Sequence, residues 1–523
     1  MDLDTVPREW DVIVIGGGVT GAGILNEAAA TGLRVLLVER HDFAWGTSSR
    51  SSKMVHGGFR YLKEGKIALT RIAVRERERL LREAPGLVEP LGFLLPVYKD
   101  RGLSRWTLEI GLSIYDLFAG RKDHRFFGLE AFSMMAAHLK QDNLVGGFRF
   151  TDAQVDDARL VLRLIDEACE SGPDVMALNY VTVNRIRKTS AGHVKGIDLS
   201  DTETGEEHSL SAPVVINATG FEAETFHRSP DPGCHLRPLR GSHLVFPMWC
   251  LPTALAVSLI FPEDGRYGFV CPWEGRLLVG TTDLDHRHDP SLEPAIRPDE
   301  AAYLMEGLQE TFSDGQFPEE ACIASFAGVR PVLSRGDNTA PSHESREHAI
   351  WADKGLITVT GGKLTTFRKV AQDTLKAAAP FLQGATTEPR KKGSGFMPVS
   401  TGDETGHPLP AEVRRRLYGR YGKAATQLIR EATPKDLDAI PGTLTLWAEL
   451  PFTAAREHIR HLSDLLLRRV RIGILCHEGG AQFLDRVEAI CRPVLPWDSA
   501  RWSKERAAYA RLWQDKYAPP KWG

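Results

Sequence analysis

Three glycines near the start of the chain have the spacing of a dinucleotide-binding turn. Gly16, Gly18 and Gly21 follow the apolar run at residues 11–15 and open an apparent helix. In such a unit Gly16 permits a tight turn, Gly18 lets the backbone approach a pyrophosphate, and Gly21 lets the helix pack closely on the sheet. The helix N-terminus attracts phosphate through its N–H groups and its dipole. Glu39 ends the next apolar run and is placed to accept hydrogen bonds from ribose hydroxyls.

The elements that would position these residues alternate between strands and helices. Hydrophobic periodicity predicts helices at 66–84, 157–171, 299–312 and 364–379, and strands at 175–178, 181–187, 194–199, 214–217 and 357–360. Residues 236–283 are rich in strand-forming segments. After a linker, further helices are predicted at 411–421, 423–432, 454–472, 480–490 and 502–513.

The first βαβ unit does not distinguish FAD from NAD. A crossover helix, a short β-meander and a strand that ends at Asn217-Ala-Thr-Gly220 follow it in the order found in flavoproteins with two dinucleotide-binding folds. This order favours FAD, with Gly220 as a second turn near the cofactor.

Composition excludes several classes of protein. The 523 residues are 42% hydrophobic and 25% charged, with a net charge of −3, so the chain is expected to be globular, with two or three domains and no nucleic acid as a partner. The seven cysteines form no CxxC pair, which favours reduced thiols in the cytoplasm. The sequence shows no signal peptide, no apolar run of ~18 residues and no metal-binding spacing, so we expect no membrane span and no metal.

Residues 47–62, TSSRSSKMVHGGFRYL, resemble the signature of FAD-dependent glycerol-3-phosphate dehydrogenases, which belong to the D-amino-acid-oxidase-like (glycine oxidase-like) flavoproteins. Further matches follow in the same order at 155–160, 241–245, 280–283, 328–331, 361–366 and 465–473. The resemblance implies an α/β (α+β) fold. A Rossmann-like FAD-binding domain would be interleaved with a β-sheet substrate domain and followed by an all-α C-terminal domain.

The same resemblance implies domain boundaries. The FAD-binding domain would comprise residues 1–85, 151–235 and 321–385. The substrate domain would comprise 86–150 and 236–320, the linker 386–410 and the helical C-terminal domain 411–523.

The resemblance also implies an activity, which is oxidation of sn-glycerol 3-phosphate to dihydroxyacetone phosphate by hydride transfer to non-covalently held FAD. Electrons would pass to a quinone, which requires peripheral contact with the inner face of the cell membrane. A homodimer is possible. The alternatives are an oxidase of the same substrate that uses O2, an amine or 2-hydroxy-acid oxidase, and a catalytically silent flavin-binding protein. Oxidases of the family carry a large insertion that is not apparent here, which favours the dehydrogenase.

Arginines are expected to bind the substrate phosphate, because a guanidinium fork binds oxygens bidentately. Arg330 lies between an apolar run and Pro331, an unusual place for a merely solvated arginine. By resemblance Arg330 and Arg346 form a phosphate clamp that Arg60 joins. Arg335 competes with Arg346 for its place.

His56 is the leading candidate for the base that takes the hydroxyl proton, because histidine titrates near neutral pH. Lys363 is the rival, although stabilising a developing alkoxide or the flavin pyrimidine suits it better. His243 is a weaker candidate, and Tyr61 could orient substrate through its hydroxyl. Further cofactor contacts are expected from Thr47, Ser48, Ser49, Gly361, Gly362, Leu364 and Thr365.

An amphipathic helix is predicted where apolar residues recur at helical spacing. These are Leu103, Trp106, Ile110, Ile114 and Leu117, flanked by Arg101, Arg105, Arg121 and Lys122. The pattern is typical of an interfacial helix and equally of a helix that faces the core. The aromatic residues of the tail at 501–521 are expected to contact headgroups or a partner subunit.

Overall fold

The computed structural model describes residues 3–522 except 64, 232–234, 288–291, 314, 335–346, 383–395 and 397–408, and it does not describe the side chains of residues 60 and 63. In this part of the chain the strands are β1 Val12–Ile15, β2 Val35–Glu39, β3 Met54–Val55, β4 Val88–Tyr98, β5 Arg125–Gly128, β6 Leu144–Val155, β7 Val175–Asn179, β8 Val181–Lys188, β9 Val194–Asp201, β10 Glu207–Ser211, β11 Val214–Asn217, β12 His235–Pro247, β13 Ala256–Ile260, β14 Tyr267–Trp273, β15 Arg276–Gly280, β16 Leu284–Asp285, β17 Ala324–Ser334, β18 His348–Asp353 and β19 Leu356–Gly361.

The helices are α1 Val19–Ala29, α2 Arg60–Lys63, α3 Ile67–Glu83, α4 Arg105–Ala119, α5 Leu129–Met135, α6 Asp157–Cys169, α7 Pro298–Thr311, α8 Phe367–Ala378, α9 Ala411–Tyr421, α10 Ala424–Glu431, α11 Glu449–Arg456, α12 Leu462–Asp464, α13 Ile472–Leu475, α14 Leu484–Cys491 and α15 Ser499–Lys516.

The first sheet contains β1 and has the order β18-β19-β11-β1-β2-β7. Every pair in it except β18 with β19 is parallel. Side chains of β1 alternate between two cores. Val12 and Val14 face helices α1, α6 and α8, whereas Ile13 and Ile15 face the three-stranded sheet β10-β9-β8. Because both faces are covered, β1, β2 and β11 are continuous apolar runs.

A second sheet is larger than the first. Its path is β16-β12-β15-β14-β13-β4-β6-β3, with β17 paired to β12 and β5 to β6. Residues of β12, β15 and β17 share a core with the C-terminal helices, so those helices pack on this sheet. The α/β fold class with an all-α C-terminal portion is confirmed.

The prediction of one continuous helix over 454–472 was wrong. Helix α11 ends at Arg456, a π-helical turn spans Leu465–Arg469, and α13 begins at Ile472. Asp464 causes part of this break, because its carboxylate accepts hydrogen bonds from the backbone N–H groups of Arg460, at 3.0 Å, and His461, at 2.8 Å. A helix N-terminus is thereby created inside the predicted helix.

Two other helix starts were placed too early. Helix α14 begins at Leu484 and not at residue 480, because Glu478, Gly479 and Gly480 have φ values of 50°, 64° and 78°. Helix α8 begins at Phe367, after a short 3₁₀ turn at Leu364–Thr366. Most of the predicted linker at 386–410 lies outside the described residues. No helix among the described residues has the length and apolar character that crossing a bilayer demands.

The expectation for the aromatic tail was also wrong. Trp502, Tyr509, Trp513 and Tyr517 are all buried in the core of the C-terminal helices. Their side chains are therefore directed into this chain's own interior and not toward headgroups.

Candidate active site

The first glycine turn lies at the carboxyl end of β1. Gly16 has φ 112°, and a Cβ there would lie 2.6 Å from the carbonyl oxygen of Ala218. A Cβ at Gly21 would lie 1.9 Å from the Gly16 carbonyl oxygen, so α1 could not pack on the turn. Gly18 is the N-cap of α1 and lines the cavity. The turn is therefore shaped for close approach of a phosphate to the helix N-terminus.

Glu39 lies at the end of β2, beside this turn. Its carboxylate accepts hydrogen bonds from the backbone N–H groups of Gly17, at 2.7 Å, and His41, at 2.8 Å. Burial raises the pKa of Glu39, and these two bonds only partly oppose the rise. The two backbone groups hold the carboxylate at the wall of the cavity, where a ribose hydroxyl could reach it.

Residues 46–50 form a second turn against the same helix N-terminus, which we call the cofactor turn. The Ser48 hydroxyl accepts a hydrogen bond from the backbone N–H of Val19 at 2.9 Å. The Thr47 hydroxyl donates to the carbonyl oxygen of Val329. Thr47 and Ser48 line the cavity. Ser49 is buried, and its carbonyl oxygen accepts a hydrogen bond from Lys53 Nζ.

Two further turns complete the edge of the sheet. Gly220 follows β11, Gly361 ends β19 and Gly362 comes next, with φ values of 66°, 76° and 80°. All three line the cavity, as do Leu364 and Thr365. The Thr365 hydroxyl donates to the carbonyl oxygen of His56 at 3.1 Å, which ties the last turn to the segment of the candidate base.

These turns surround one cavity with a volume of about 1440 Å³. Single drug-sized ligands occupy roughly 300–1,000 Å³, so this space accommodates a dinucleotide and a small substrate together. The glycine turns form one part of its lining. Another part, which we call the apolar arm, is formed by Phe59, Phe93, Phe150, Phe269 and residues of α4.

His56, Tyr61 and Lys363 are the side chains of the wall that could act on a substrate. All three line the cavity, and the Lys363 Nζ lies 3.4 Å from the centre of the Tyr61 ring. Gly58 allows this approach, because a Cβ there would lie 2.2 Å from the Tyr61 ring and 3.5 Å from Lys363 Nζ.

Arg330 enters the same cavity from β17. Its guanidinium donates to Asp283 Oδ1 at 2.9 Å and to the Thr281 hydroxyl at 3.0 Å. Gly241 leaves the space that this guanidinium occupies, since a Cβ there would lie 2.3 Å from Arg330 Nη2.

Sequence reasoning missed Arg266 and Asp283, which also line the cavity. The Asp283 carboxylate lies between Arg330 and Arg266, whose Nη1 is 3.6 Å from Oδ2. Asp283 ends the Gly-Thr-Thr-Asp motif that contributed to the family resemblance, and this motif was the available signal. Arg266 follows an ordinary Asp-Gly turn and gave no signal of its own.

Of the remaining expected substrate residues, the structure describes the side chain of His243 but not those of Arg60 and Arg346. His243 lies behind the cavity wall, where its Nε2 is 2.8 Å from the hydroxyl of Ser52, a lining residue. Burial lowers the pKa of His243 well below its usual value, and Arg330 and Lys53 lower it further. Arg60 begins α2, but its side chain is not described, and Arg346 lies outside the described residues.

The residues fit FAD on three counts. The glycine turn admits a phosphate, the N-terminus of α1 faces it, and Glu39 offers a ribose acceptor. A nucleotide cleft at the carboxyl ends of parallel strands, in a cavity that residues of a second sheet also line, is consistent with an FAD-dependent oxidoreductase.

Comparison with known proteins agrees. Residues 11–368 match the family described as FAD dependent oxidoreductase, and residues 359–502 match the C-terminal domain of alpha-glycerophosphate oxidase. The chain belongs to the FAD-dependent glycerol-3-phosphate dehydrogenase family. It is 33% identical over 489 residues to an aerobic glycerol-3-phosphate dehydrogenase of Staphylococcus haemolyticus, covering 88% of this chain and 86% of the relative. A relative with the same description from Staphylococcus aureus is 32% identical over 486 residues, covering 88% of this chain and 86% of the relative.

A solved structure is also similar over nearly the whole chain. The glycerol-3-phosphate dehydrogenase of Bacillus halodurans, complexed with FAD, superposes with a TM-score of 0.75 at 26% identity. The match covers 98% of this chain and 96% of that one.

Proposed function

We propose that this protein oxidises sn-glycerol 3-phosphate to dihydroxyacetone phosphate with FAD and passes the electrons to a membrane quinone. The observation that carries the proposal is the meeting of His56, Lys363 and Arg330 in one glycine-lined cavity. The relatives described as aerobic glycerol-3-phosphate dehydrogenases support the choice of substrate.

Arg330 is suited to binding the substrate phosphate. Its guanidinium is held by Asp283 and Thr281 and still lines the cavity, so its position is fixed before substrate arrives. A pre-positioned guanidinium loses less conformational entropy when it binds a dianion. Arg60 and Arg346 remain the proposed partners of Arg330 in the clamp.

His56 is suited to accepting the proton of the C2 hydroxyl, and Lys363 to stabilising the oxygen that loses it. When bound, FAD supplies the acceptor for the C2 hydride. The bond between Thr365 and the His56 carbonyl fixes the backbone of the base beside the last glycine turn. His243 would act on the cavity through Ser52.

Helix α4 supports a quinone acceptor at a membrane surface. Trp106, Ile110 and Leu117 are 72%, 63% and 75% exposed, while Leu108 and Leu112 are buried. Ile110 and Ile114 also line the apolar arm of the cavity. An exposed apolar face that continues into the cavity offers a quinone a route from lipid toward the flavin. We therefore propose that the protein attaches peripherally to the inner face of the cell membrane. A homodimer is proposed as well.

An oxidase that uses O2 is the second candidate, since residues 359–502 match a domain described for alpha-glycerophosphate oxidase. Anaerobic titration with glycerol 3-phosphate, followed by a short-chain quinone and then by oxygen, separates the candidates. We expect the flavin absorbance to bleach with substrate, to return rapidly with quinone and to return slowly with oxygen. Glycerol and lactate are the controls for the phosphate group. A flavin that stays oxidised with glycerol 3-phosphate would overturn the proposed substrate, and reoxidation that is equally fast with oxygen would favour the oxidase.

Membrane contact is tested separately by sedimentation with anionic phospholipid vesicles. Replacing Trp106 and Leu117 together by serine removes two exposed apolar side chains that do not line the cavity. We expect vesicle binding to fall while turnover with a soluble quinone persists. Leu444→Ser is the matched control, because Leu444 is 53% exposed in the segment between α10 and α11. Equal vesicle binding by the double variant would exclude α4 as the docking face.

A further inference from the structure

The C-terminal helices contact the segment that carries the cofactor turn at several buried positions. Arg468 and Arg469 both donate to the carboxylate of Asp42, which lies between β2 and the turn. Arg471 donates to the carbonyl oxygen of Ser49 at 3.3 Å, and Tyr517 contacts Arg50. We call Arg468, Arg469, Arg471 and Tyr517 the clasp residues. All four are less than 5% exposed.

Tyr517 acts on the turn through two other side chains. The Tyr517 hydroxyl accepts a hydrogen bond from Arg50 Nη2 at 3.3 Å and donates one to the Glu293 carboxylate. Glu293 also pairs with Arg50. Burial raises the pKa of the Tyr517 hydroxyl to about 12, so it keeps the proton that it donates.

Arg50 in turn fixes the backbone of the cofactor turn. Its Nη1 donates to the carbonyl oxygens of Trp45 and Gly46, the latter at 3.5 Å. The guanidinium lies 5.1 Å from the centre of the Trp45 ring, and both residues line the cavity. A contact made by Tyr517, which directly follows α15, is thus transmitted to the residues that precede Thr47 and Ser48.

The other end of the turn is held in the same manner. Lys53 Nζ donates to the Ser49 carbonyl oxygen at 2.5 Å and to the Asp157 carboxylate at 2.8 Å. Arg471 also bonds Asp157. Ser49 is consequently fixed by Lys53 from the motif at residues 47–62 and by Arg471 from the C-terminal helices.

Tyr517 itself is anchored to the second sheet. Its carbonyl oxygen accepts a hydrogen bond from the backbone N–H of Ser325 in β17 at 2.7 Å, and the Ala518 carbonyl oxygen accepts one from the Ser325 hydroxyl at 3.1 Å. The hydroxyl of Tyr517 is therefore presented to Arg50 from a fixed backbone.

We propose that the C-terminal helical domain, through its clasp residues, holds the cofactor turn in the conformation that retains FAD. The Ser48 hydroxyl lies against the N-terminus of α1, where the FAD diphosphate is expected. A turn fixed in advance loses less entropy on binding, so FAD is held more tightly. Tyr517 is a positioning residue in this arrangement, because it acts through Arg50 and Glu293 and does not line the cavity.

Tyr517→Phe tests the proposal, because it removes one hydroxyl and keeps the packed ring. Tyr509→Phe is the matched control. Tyr509 is equally buried, lies in the last helix and donates to the Gly479 carbonyl oxygen at 2.7 Å, away from the cofactor turn. We expect Tyr517→Phe to raise the dissociation constant of FAD by about tenfold, the effect of losing one buried hydrogen bond to a charged group. Tyr509→Phe should leave the constant unchanged. Release of fluorescent flavin measures both.

A purely structural role predicts a different result. Tyr517→Phe would then lower the melting temperature of the apoprotein as Tyr509→Phe does, with no change in FAD affinity, and the proposal would fail.

Amide hydrogen exchange of the apoprotein adds a direct measurement. Peptides covering residues 42–53 should exchange faster in Tyr517→Phe and at the wild-type rate in Tyr509→Phe. Equal exchange in both variants would also overturn the clasp. Neither measurement involves glycerol 3-phosphate, so the outcome is independent of the proposed substrate.

Discussion

The ammonium nitrogen of Lys363 lies 3.4 Å from the centre of the Tyr61 ring. The contact joins the motif at residues 47–62 to the glycine pair after β19, about three hundred positions later in the chain. A cation over an aromatic face is attracted by the ring quadrupole, more strongly where water is excluded. Tyr61 therefore helps to fix the position of the Lys363 ammonium group in the wall of the cavity.

Replacement of Lys363 by methionine is expected to lower the rate of flavin reduction by ~10²–10³-fold, the usual cost of losing one group that stabilises an oxyanion. Anaerobic rapid mixing with glycerol 3-phosphate measures this rate. Lys354→Met is the control, since the Lys354 ammonium bonds the Ala191 carbonyl oxygen at the surface. A wild-type rate in Lys363→Met would assign the stabilisation to another group.

His56→Ala is expected to lower the same rate by ~10²–10⁴-fold, because the hydroxyl proton would lose its acceptor. The absorbance spectrum of the bound flavin should be unchanged, since the glycine turns remain intact. The exposed His193 provides the control substitution. A loss of about tenfold or smaller would shift the role of base to Lys363 or to solvent.

Arg330→Ala is expected to raise the KM for glycerol 3-phosphate by about 10²-fold, because a phosphate dianion would lose a charged partner. The fold should persist, since Asp283 keeps Arg266 as a neighbour. Arg237→Ala is the matched control on β12, where Arg237 pairs with Asp285 outside the cavity. Steady-state kinetics with a soluble quinone decide the case, and an unchanged KM would remove Arg330 from the clamp.

His41 gives the stability a predictable dependence on pH. Its ring stacks on Trp45 with centroids 4.0 Å apart, and burial, assisted by Arg40 and Arg468, lowers the pKa of His41 to about 4. Unfolded histidine titrates near pH 6.5, so between about pH 6.5 and 4 the unfolded state binds more protons. The free energy of unfolding should therefore fall as the pH falls through this window.

His41→Gln removes that titration. The loss of unfolding free energy between about pH 7 and 4.5, measured by urea denaturation, should be smaller in His41→Gln than in the wild type. His193→Gln, at an exposed position, should retain the wild-type loss. If His41→Gln and the wild type lose equal free energy, His41 does not control this dependence.

The sequence was sufficient for the parts of the site that depend on backbone geometry. Gly16 and Gly21 were predictable because any side chain there would collide with neighbouring backbone, so their identity follows from the turn itself. The helices were predictable where one face is buried in a regular pattern, as in α6, which was expected at 157–171 and spans Asp157–Cys169.

Long-range contacts between charged groups were not predictable. Within the predicted helix at 454–472, the buried Arg468 and Arg469 pair with Asp42, more than four hundred residues earlier in the chain. Nothing in local periodicity encodes such a partner. The place of His243 behind Ser52 and the bridge between Arg330 and Arg266 through Asp283 likewise arise only when distant strands meet.

The clasp has a consequence for biosynthesis. A ribosome makes the polypeptide from its N-terminus, so the glycine turns emerge long before Arg468 and Tyr517. A nascent chain that has already formed β1, α1 and β2 still lacks the clasp residues, which help to immobilise residues 46–50. Durable capture of the flavin is therefore expected only after translation has finished, and prematurely terminated products should be recovered colourless.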